Sequence, residues 1–438
     1  MFSLPKTATG PFCPSEVRGS VPVDAAAPLW RKVLRFSGPG LLVSVGYMDP
    51  GNWATGIEGG SRFGYDLLFV VLLSSLAAIV LQCLSARLGI ATGRDLARLS
   101  NEQYGPFARR ALWLLAELSI IACDLAEVLG SALAFHLLLG VPILAGVGLT
   151  ALDTLIVLGL QGRKFRSLEA IVLGLILTIG VCFLVELVLL RPDLSAVAGG
   201  FVPSLRTLGD LDAIGIAVGV IGATVMPHNL YLHSAIVQTR VVAEDERSIR
   251  QAIRLSNIDT IASLLLALAI NAAIMILAAS AFHANGQQVG GIEDAYHLLD
   301  PIVGTSLAGV LFAVALLASG QSSTFTGTIA GQILMEGFLD LKIPCWQRRL
   351  ITRGLALVPA FAGLWWLGDG GVGFLLVASQ VALSLQLPFA VYPLVRFSAD
   401  RRLMGDAVTP RWMQRLAWLI FAAVVAANAW LVVQAVRG

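Results

Sequence analysis

Apolar residues run along this chain in long uncharged stretches, such as Leu67–Leu84, Ile171–Val185 and Ile261–Ala281, separated by short segments that carry the charge. Each stretch is long enough, as a helix, to cross a hydrocarbon layer of ~30 Å. The pattern predicts spans at about 38–62, 67–88, 111–139, 142–160, 168–190, 211–238, 256–282, 304–336, 350–367, 372–395 and 412–436. The expected fold class is therefore an all-α integral membrane protein of about eleven transmembrane helices.

Composition agrees. Hydrophobic residues make up 57% of the chain and charged residues 13%, and the mean hydropathy is +0.80. A water-soluble domain of this length could not bury that much apolar surface, so the lipid bilayer is its expected environment. With the N-terminus placed in the cytoplasm, the inside segments are 1–37, 85–110, 161–167, 239–255, 337–353 and 396–415. They hold 26 of the 30 Lys and Arg residues, and outside remain Arg62, Arg191, Arg206 and Arg437. The positive-inside rule then gives a cytoplasmic N-terminus and an external C-terminus. Residues 1–35, rich in Pro, Gly and Ala without an apolar signal core, read as a flexible cytoplasmic tail. The five cysteines, Cys13, Cys83, Cys123, Cys182 and Cys345, are scattered and form no C-x-x-C pair, so buried packing is their expected role. The abundance of Arg over Lys, with Ala, Leu and Gly dominant, suggests a bacterial source and hence the inner membrane. The net charge of +2 carries no sign of a nucleic-acid partner.

Two spans are interrupted at their centres. The first holds Asp49, Pro50, Gly51 and Asn52, where Pro50 removes a backbone donor and Gly51 relaxes the chain. In water such a run is a turn. At membrane depth, unpaired backbone survives only against protein or a water-filled cavity, and a carboxylate facing lipid costs several kcal/mol. The sixth span repeats the interruption: Gly215–Ala223 leads into Thr224, Val225, Met226, Pro227 and His228, then Asn229 to Val237. Matching breaks five helices apart point to a LeuT-type fold with two inverted five-helix repeats and a site at their interface. The expected units are the tail at 1–35, a first repeat at 36–200, a second at 201–396, and a loop with the extra eleventh helix at 397–438.

The breaks offer the Asp49 carboxylate, the Asn52 amide oxygen, the Met226 thioether and carbonyls freed near Gly46 and Ala223, with no Lys or Arg. Acceptors without cationic donors make a cation site. A thioether adds nothing for Mg²⁺ or Ca²⁺ and suits softer first-row metals. Met226 as core filler is the competing reading, weakened by its place directly before Pro227. Gln380 in the tenth span could complete the shell.

Asp49-Pro50-Gly51-Asn52 together with Met226-Pro227-His228 resembles the Nramp (natural resistance-associated macrophage protein) family of proton-coupled metal transporters. The stretch Ser319-Gly320-Gln321-Ser322-Ser323-Thr324 through Gly331-Gln332 and Gly337-Phe338 is similar to that family's transport signature, and the resemblance covers the chain beyond residue 35. It implies that Asp49, Asn52 and Met226 coordinate the metal, helped by the carbonyls of Gly46 or Ala223 and, in some states, by Gln380. It also implies a secondary active importer of Mn²⁺ and Fe²⁺, with Cd²⁺ and Co²⁺, coupled to proton influx by alternating access. Met226 argues against the family branches that carry Mg²⁺ or Al³⁺. No catalytic residues and no resident cofactor are expected, and a monomer would suffice for function.

Proton carriers should be ionisable groups within the spans. Glu117, Asp124 and Glu127 fall within about 80° of one another on the third helix. Such a cluster needs cationic partners or an aqueous path. The resemblance places Asp124 and Glu127 on a proton route with Arg348 or Arg349, and Asp49, His228 and His233 lie on or near the sixth-span and first-span breaks. Each has a plainer reading as well: a structural ion pair for the acids, a backbone cap for His228, helix packing for His233. Glu58 and Arg62 read as a local i,i+4 pair, and Asp153, Glu186 and Asp259 receive no role.

Other classes compete. A sodium-coupled organic-solute (amino-acid) symporter on the same fold would present unwound helix N-termini to a substrate carboxylate, which Asp49 opposes. A metal-gated channel fits less well with two breaks at matching depth. A membrane enzyme lacks H-E-x-x-H, G-x-S-x-G and P-loop motifs.

Overall fold

The computed structural model describes residues 18–437 apart from 24–26, 153–164, 205, 206, 208, 244 and 340–344, and without the side chains of 345, 346, 348–350, 352, 353 and 435–437. Among the described residues there is no strand, and one isolated bridge joins Val21 to Arg240.

A short helix α1 (Leu29–Phe36) leads through Ser37 and Gly38 into α2 (Pro39–Val45), a 3₁₀ turn at Gly46–Met48, and α3 (Pro50–Phe63). Then follow α4 (Leu68–Thr92), α5 (Leu96–Gln103), α6 (Pro106–Leu139), α7 (Ile143–Thr150), α8 (Phe165–Leu190) and α9 (Leu194–Gly200). The second half begins with α10 (Leu211–Thr224), α11 (Pro227–Ile236), α12 (Glu246–Ala281) and α13 (Ile292–Val303). It ends with α14 (Leu307–Leu339), α15 (Cys345–Leu367), α16 (Val372–Ala399), α17 (Arg401–Met404) and α18 (Arg411–Arg437). Helix is present at every expected span; for the fourth, expected at 142–160, α7 covers the start, Ala151 and Leu152 form a turn, and 153–160 lie outside the described residues.

Eight of the described helical segments are long and apolar enough to cross a membrane, and Pro39–Met48 and Gly354–Leu367 are shorter apolar helices. Burial sorts them. The apolar window of Pro106–Leu139 is 72% buried, whereas that of Arg411–Gln434 is 22% buried, so α6 is central and α18 peripheral. On α8 the split runs along one helix. Ile176, Ile179 and Phe183 are buried, while Leu177, Val181, Leu184 and Val188 form an exposed apolar stripe. In water such a stripe would be a liability, but it suits contact with lipid chains.

The core forms where α6 lies along α14 and α16, α12 along α3 and α4, and α8 against α12 and α14. Water-facing helix starts are capped by aspartates: Asp95 on α5, Asp193 on α9, Asp210 on α10, Asp245 on α12 and Asp400 on α17 each accept a backbone N–H of the first turn. Asp49 caps α3 in the same way, but it does so in the middle of the protein, fully buried.

The segment read as a flexible tail contains α1 and an extended stretch beside the end of α11. Gly19 N–H donates to the Gln238 carbonyl (3.0 Å), Val21 N–H to the Thr239 carbonyl (3.0 Å), and Val241 N–H to the Val21 carbonyl (3.0 Å). Asp259, which carried no expected role, is the cap of α2. It accepts from Gly40 N–H (2.7 Å), from Gly38 N–H (3.2 Å) and from the Ser37 hydroxyl (2.9 Å). Beside it Arg240, buried, pairs with Glu169 at 2.8 Å. Gly38, at φ +140°, lies so close to Glu169 and Arg240 that a β-carbon there would overlap both side chains.

Candidate functional site

The two interruptions lie where the sequence places them. Asp49 leaves helical geometry (φ −69°, ψ 165°) between the Gly46–Met48 turn and α3. In the sixth span Val225 (φ −100°, ψ 81°) and Met226 (φ −80°, ψ 124°) separate α10 from α11. Pro50 and Pro227 each occupy the first position of the following half-helix, where no donor is needed.

α16 brings the breaks together. A β-carbon on Gly51 would overlap the Gln380 amide, so the glycine gives this side chain room beside Asp49 and Asn52. From the other side, a β-carbon on Gly222 would meet Ser384 Cβ at 2.7 Å and the Gln380 carbonyl at 3.0 Å. Met226 packs with Leu383 of α16 and Cys123 of α6 in one buried cluster. Asp49, Met226, His228, Asn229, His233 and Gln380 are all 0–1% exposed, and Asn52 is 5% exposed.

Among the described residues, the side chains of Asp49, Asn52 and Gln380 each keep an oxygen without a partner, while the Asn229 amide has neither its nitrogen nor its oxygen bonded. Asp49 Oδ1 accepts the Asn52 N–H at 2.9 Å, and Asp49 Oδ2 has no partner. The Asn52 Nδ2 group donates to the Tyr47 carbonyl, as does Asn271 Nδ2 at 2.6 Å, leaving Asn52 Oδ1 without a partner. Gln380 Nε2 donates to the Ser379 hydroxyl at 3.1 Å while Gln380 Oε1 stays free. The Met48 carbonyl, freed by the break, accepts from the Trp53 indole (3.3 Å) and the Ser319 hydroxyl. A buried polar atom without a partner costs about 1–3 kcal/mol. Among the described residues, oxygens of Asp49 and Asn52 at the first break and of Gln380 on α16 thus remain without a partner, and the Met226 thioether stands at the second break. Among the described residues no group of three or more His, Cys, Asp or Glu side chains is placed to hold a metal ion, so the donor set at the breaks is one carboxylate with amide, carbonyl and sulfur atoms. Gly46 and Ala223 lie one turn before each break, Gly46 directly against the Asn229 amide.

From this centre a polar line enters α6. His228 Nε2 is 3.6 Å from Cys123 Sγ, and Cys123 donates to Glu127 Oε1 at 3.5 Å. Asp124 and Glu127 face Gly327 of α14, whose added β-carbon would lie 2.6 Å from Asp124 Oδ1 and 3.0 Å from Glu127 Oε1. The side chains of Arg348 and Arg349 lie outside the described residues. Glu117, two turns from Asp124, is buried, and neither of its oxygens has a partner among the described residues. His233 is held apart from this line: its Nδ1 is 3.0 Å from Gln82 Oε1, and Gln82 Nε2 donates to the Tyr47 hydroxyl at 2.8 Å.

Several participants were passed over in the sequence. Cys123, read as packing, does pack with Met226 and Leu383, and it also joins His228 to Glu127. Asn271 and Gln82 were hidden inside long apolar runs, where an isolated amide is itself a hint. Glu186 is fully buried with both oxygens unpartnered among the described residues. The Glu58–Arg62 pair forms at 3.2 Å, and Arg62 also reaches Asp212 of α10 at 3.2 Å, joining the outer parts of α3 and α10.

Two interrupted helices crossing at a buried, acceptor-lined centre define a multi-pass membrane transporter with a LeuT-type fold. The profile of the Nramp family, described as natural resistance-associated macrophage protein-like, matches residues 40–434. The chain belongs to the Nramp family. It is 68% identical over 437 residues to the divalent metal cation transporter MntH of Ralstonia nicotianae, covering 100% of this chain and 99% of that protein. It is 67% identical to the divalent metal cation transporter MntH 1 of Pseudomonas aeruginosa, with 98% of each covered. In three dimensions it resembles the Eremococcus coleocola manganese transporter, with a TM-score of 0.89 and 38% identity, covering 94% of this chain and 89% of the other. The nucleobase-cation symporter Mhp1, at 15% identity and a TM-score of 0.63, shares the fold.

Proposed function

We propose that this protein is a secondary active importer of divalent transition-metal ions, Mn²⁺ and Fe²⁺ with Cd²⁺ and Co²⁺, coupled to proton influx by alternating access. The observation that carries the reading is the trio of unpartnered buried oxygens, Asp49 Oδ2, Asn52 Oδ1 and Gln380 Oε1, gathered with Met226 at the two breaks. A cation entering there satisfies all of them together. The thioether favours a first-row transition metal over Mg²⁺ or Ca²⁺. Its likeness to divalent metal cation transporters and to a manganese transporter supports the same substrate class.

The N-terminal face is taken as cytoplasmic, on the strength of its Lys and Arg content. On that face a cavity of about 440 Å³, lined by Arg18, Asp95, Arg98, Asn101, Glu102 and Glu336 among others, stands between the ends of α5, α11 and α14. It serves as the exit. Toward the other face, Asn52, Thr55, Thr224 and Asn271, together with Val71, Val220 and Met275, line a small buried pocket of about 10 Å³ beside the centre. The latch of Asp259 and Arg240 around Ser37 and Gly38 keeps α2 closed on the inside until metal and proton are bound. Protons pass from Asp49 and His228 through Cys123 to Glu127 and Asp124, with Glu117 and Arg348 or Arg349 further along. His233 has the alternative role of positioning Gln82 and Tyr47.

Uptake of a dication is already favoured by ~2.3 kcal/mol per charge per 100 mV of inside-negative potential; coupling to protons adds to this. The test is Mn²⁺ uptake into proteoliposomes with internal pH followed alongside, for the parent and Asp49→Ala. Metal entry with lumen acidification, both lost in Asp49→Ala, is expected. Metal entry without acidification would remove the proton coupling, and no entry in the parent would remove the importer.

A further inference from the structure

The helix that precedes the first interrupted span belongs to none of the machinery above. Projected at about 100° per residue, α1 divides into three sectors. Phe36 and Val33 turn toward the protein, where Phe36 is buried against Val237, Ala252 and Leu255. Next to them Trp30 and Leu34, each 59% exposed, form an uncovered apolar sector, with Leu29 (65% exposed) at the open end. The third sector is basic: Arg31, Lys32 and Arg35, with no acid anywhere on the helix.

Its height is fixed by its neighbours. Arg166, at the start of α8, donates to the Leu34 carbonyl (2.9 Å) and to the Ser37 carbonyl. Arg240, just past α11, donates to the carbonyls of Phe36 (2.9 Å) and Ser37 (2.7 Å). Two guanidinium groups thus cap the C-terminal end of α1, where the helix dipole favours cations. The contacts pin the helix level with the ends of membrane-crossing helices, two residues from the start of α2. Arg31 also lies over the Trp30 ring, 5.0 Å from its centroid.

A helix at that level with one sector on protein, one apolar and one basic matches a single surroundings: the edge of a bilayer. There the apolar sector meets acyl chains, Trp sits at headgroup depth, and the cations meet lipid phosphates. We infer that α1 is an interfacial helix that binds the anionic phospholipid surface of the leaflet on its own face, with Trp30 and Leu34 immersed and Arg31, Lys32 and Arg35 on the headgroups. Charge complementarity selects anionic over zwitterionic lipid, since each basic residue near such a surface adds to the attraction. Because Ser37 and Gly38 are the whole connection to α2, the lipid layer holds the entrance of the first interrupted helix. The inference needs neither metal nor proton and stands apart from the proposed transport.

The test uses the full chain in proteoliposomes in which about a fifth of the lipid is brominated phosphatidylglycerol or, separately, brominated phosphatidylcholine. Trp30 emission is taken as the difference between the parent and Trp30→Phe. Both lipids should quench it, the anionic one at least about threefold more strongly, because three basic residues draw anionic headgroups to the helix. The variant R31Q/K32Q/R35Q, compared with its own Trp30→Phe form, should lose that excess and keep the quenching by phosphatidylcholine. Unchanged quenching of the remaining tryptophans shows that it is folded. Trp30 emission untouched by either lipid would place this face in water or under a second copy of the chain and overturn the inference. Equal quenching by the two lipids in the parent would overturn its anionic selectivity.

Discussion

Replacing Gly51 by Ala tests whether Gln380 is wedged into the first break. The added β-carbon would overlap the end of the Gln380 side chain, with Gln380 Cγ at 3.0 Å. The site is buried on all sides, so Gln380 must turn away. Overpacking of this kind costs about 1–3 kcal/mol, and at an unfolding entropy of about 2 cal/mol/K per residue a chain of 438 residues should melt about 1–3 °C lower as a result. If Gln380 is a metal ligand, its displacement also weakens Mn²⁺ binding by about tenfold or more, the equivalent of ~1.4 kcal/mol. The two effects separate in Gly51→Ala/Gln380→Ala. With the glutamine cut back, the overlap is gone, so thermal stability returns to that of Gln380→Ala alone, a coupling of about 1–3 kcal/mol. Mn²⁺ affinity stays low, because the amide oxygen is still missing. Melting curves in detergent and Mn²⁺ titration of the four proteins decide it. Strictly additive melting shifts, or a single Gly51→Ala variant as stable as the parent, would refute the argument.

Met226→Ala should keep part of the Mn²⁺ transport but admit Ca²⁺ and Mg²⁺, read as competition in uptake assays; unchanged discrimination would mean that the thioether does not select. Cys123→Ala should lower the number of protons entering per Mn²⁺ while sparing Mn²⁺ affinity, and Cys123→Ser should restore the ratio, because a hydroxyl can again donate to Glu127 and accept from His228. Equal ratios in all three proteins would take Cys123 off the proton route. Asp259→Ala removes a carboxylate that accepts from Ser37, Gly38 and Gly40. Hydrogen bonds to a charged group contribute about 1.5–3 kcal/mol each, so a cysteine placed at the Gly337 edge of the inner cavity should react faster with a membrane-impermeant thiol reagent added on that side. An unchanged labelling rate would show that the cap does not hold α2 shut.

The membrane fold was legible because it is written locally: uncharged runs of the right length set the spans, and proline inside a span marks each break. Asp49 and Met226 could be singled out for the same reason, since each stands next to its proline. What escaped depends on partners distant in sequence. Asp259 has no meaning until folding brings Gly38 and Gly40, some 220 residues earlier, onto its carboxylate. Cys123 looked inert because a thiol's role is set by the His228 and Glu127 beside it, one of them on another helix. The helix at Leu29–Phe36 was hidden in a Pro/Gly-rich tail: eight residues are too few to stabilise a helix alone, and its capping by Arg166 and Arg240 is tertiary. Glu58 and Arg62, four residues apart, were found; the further reach of Arg62 to Asp212 was not, for the same reason of distance along the chain.

The claim at the centre of this account is that the two helix breaks hold one divalent metal ion. Anomalous diffraction from crystals soaked in Mn²⁺ tests it directly. One manganese peak bonded to Asp49, Asn52 and Met226, absent from Asp49→Ala crystals, is the predicted result. A peak elsewhere in the protein with the breaks empty would contradict it.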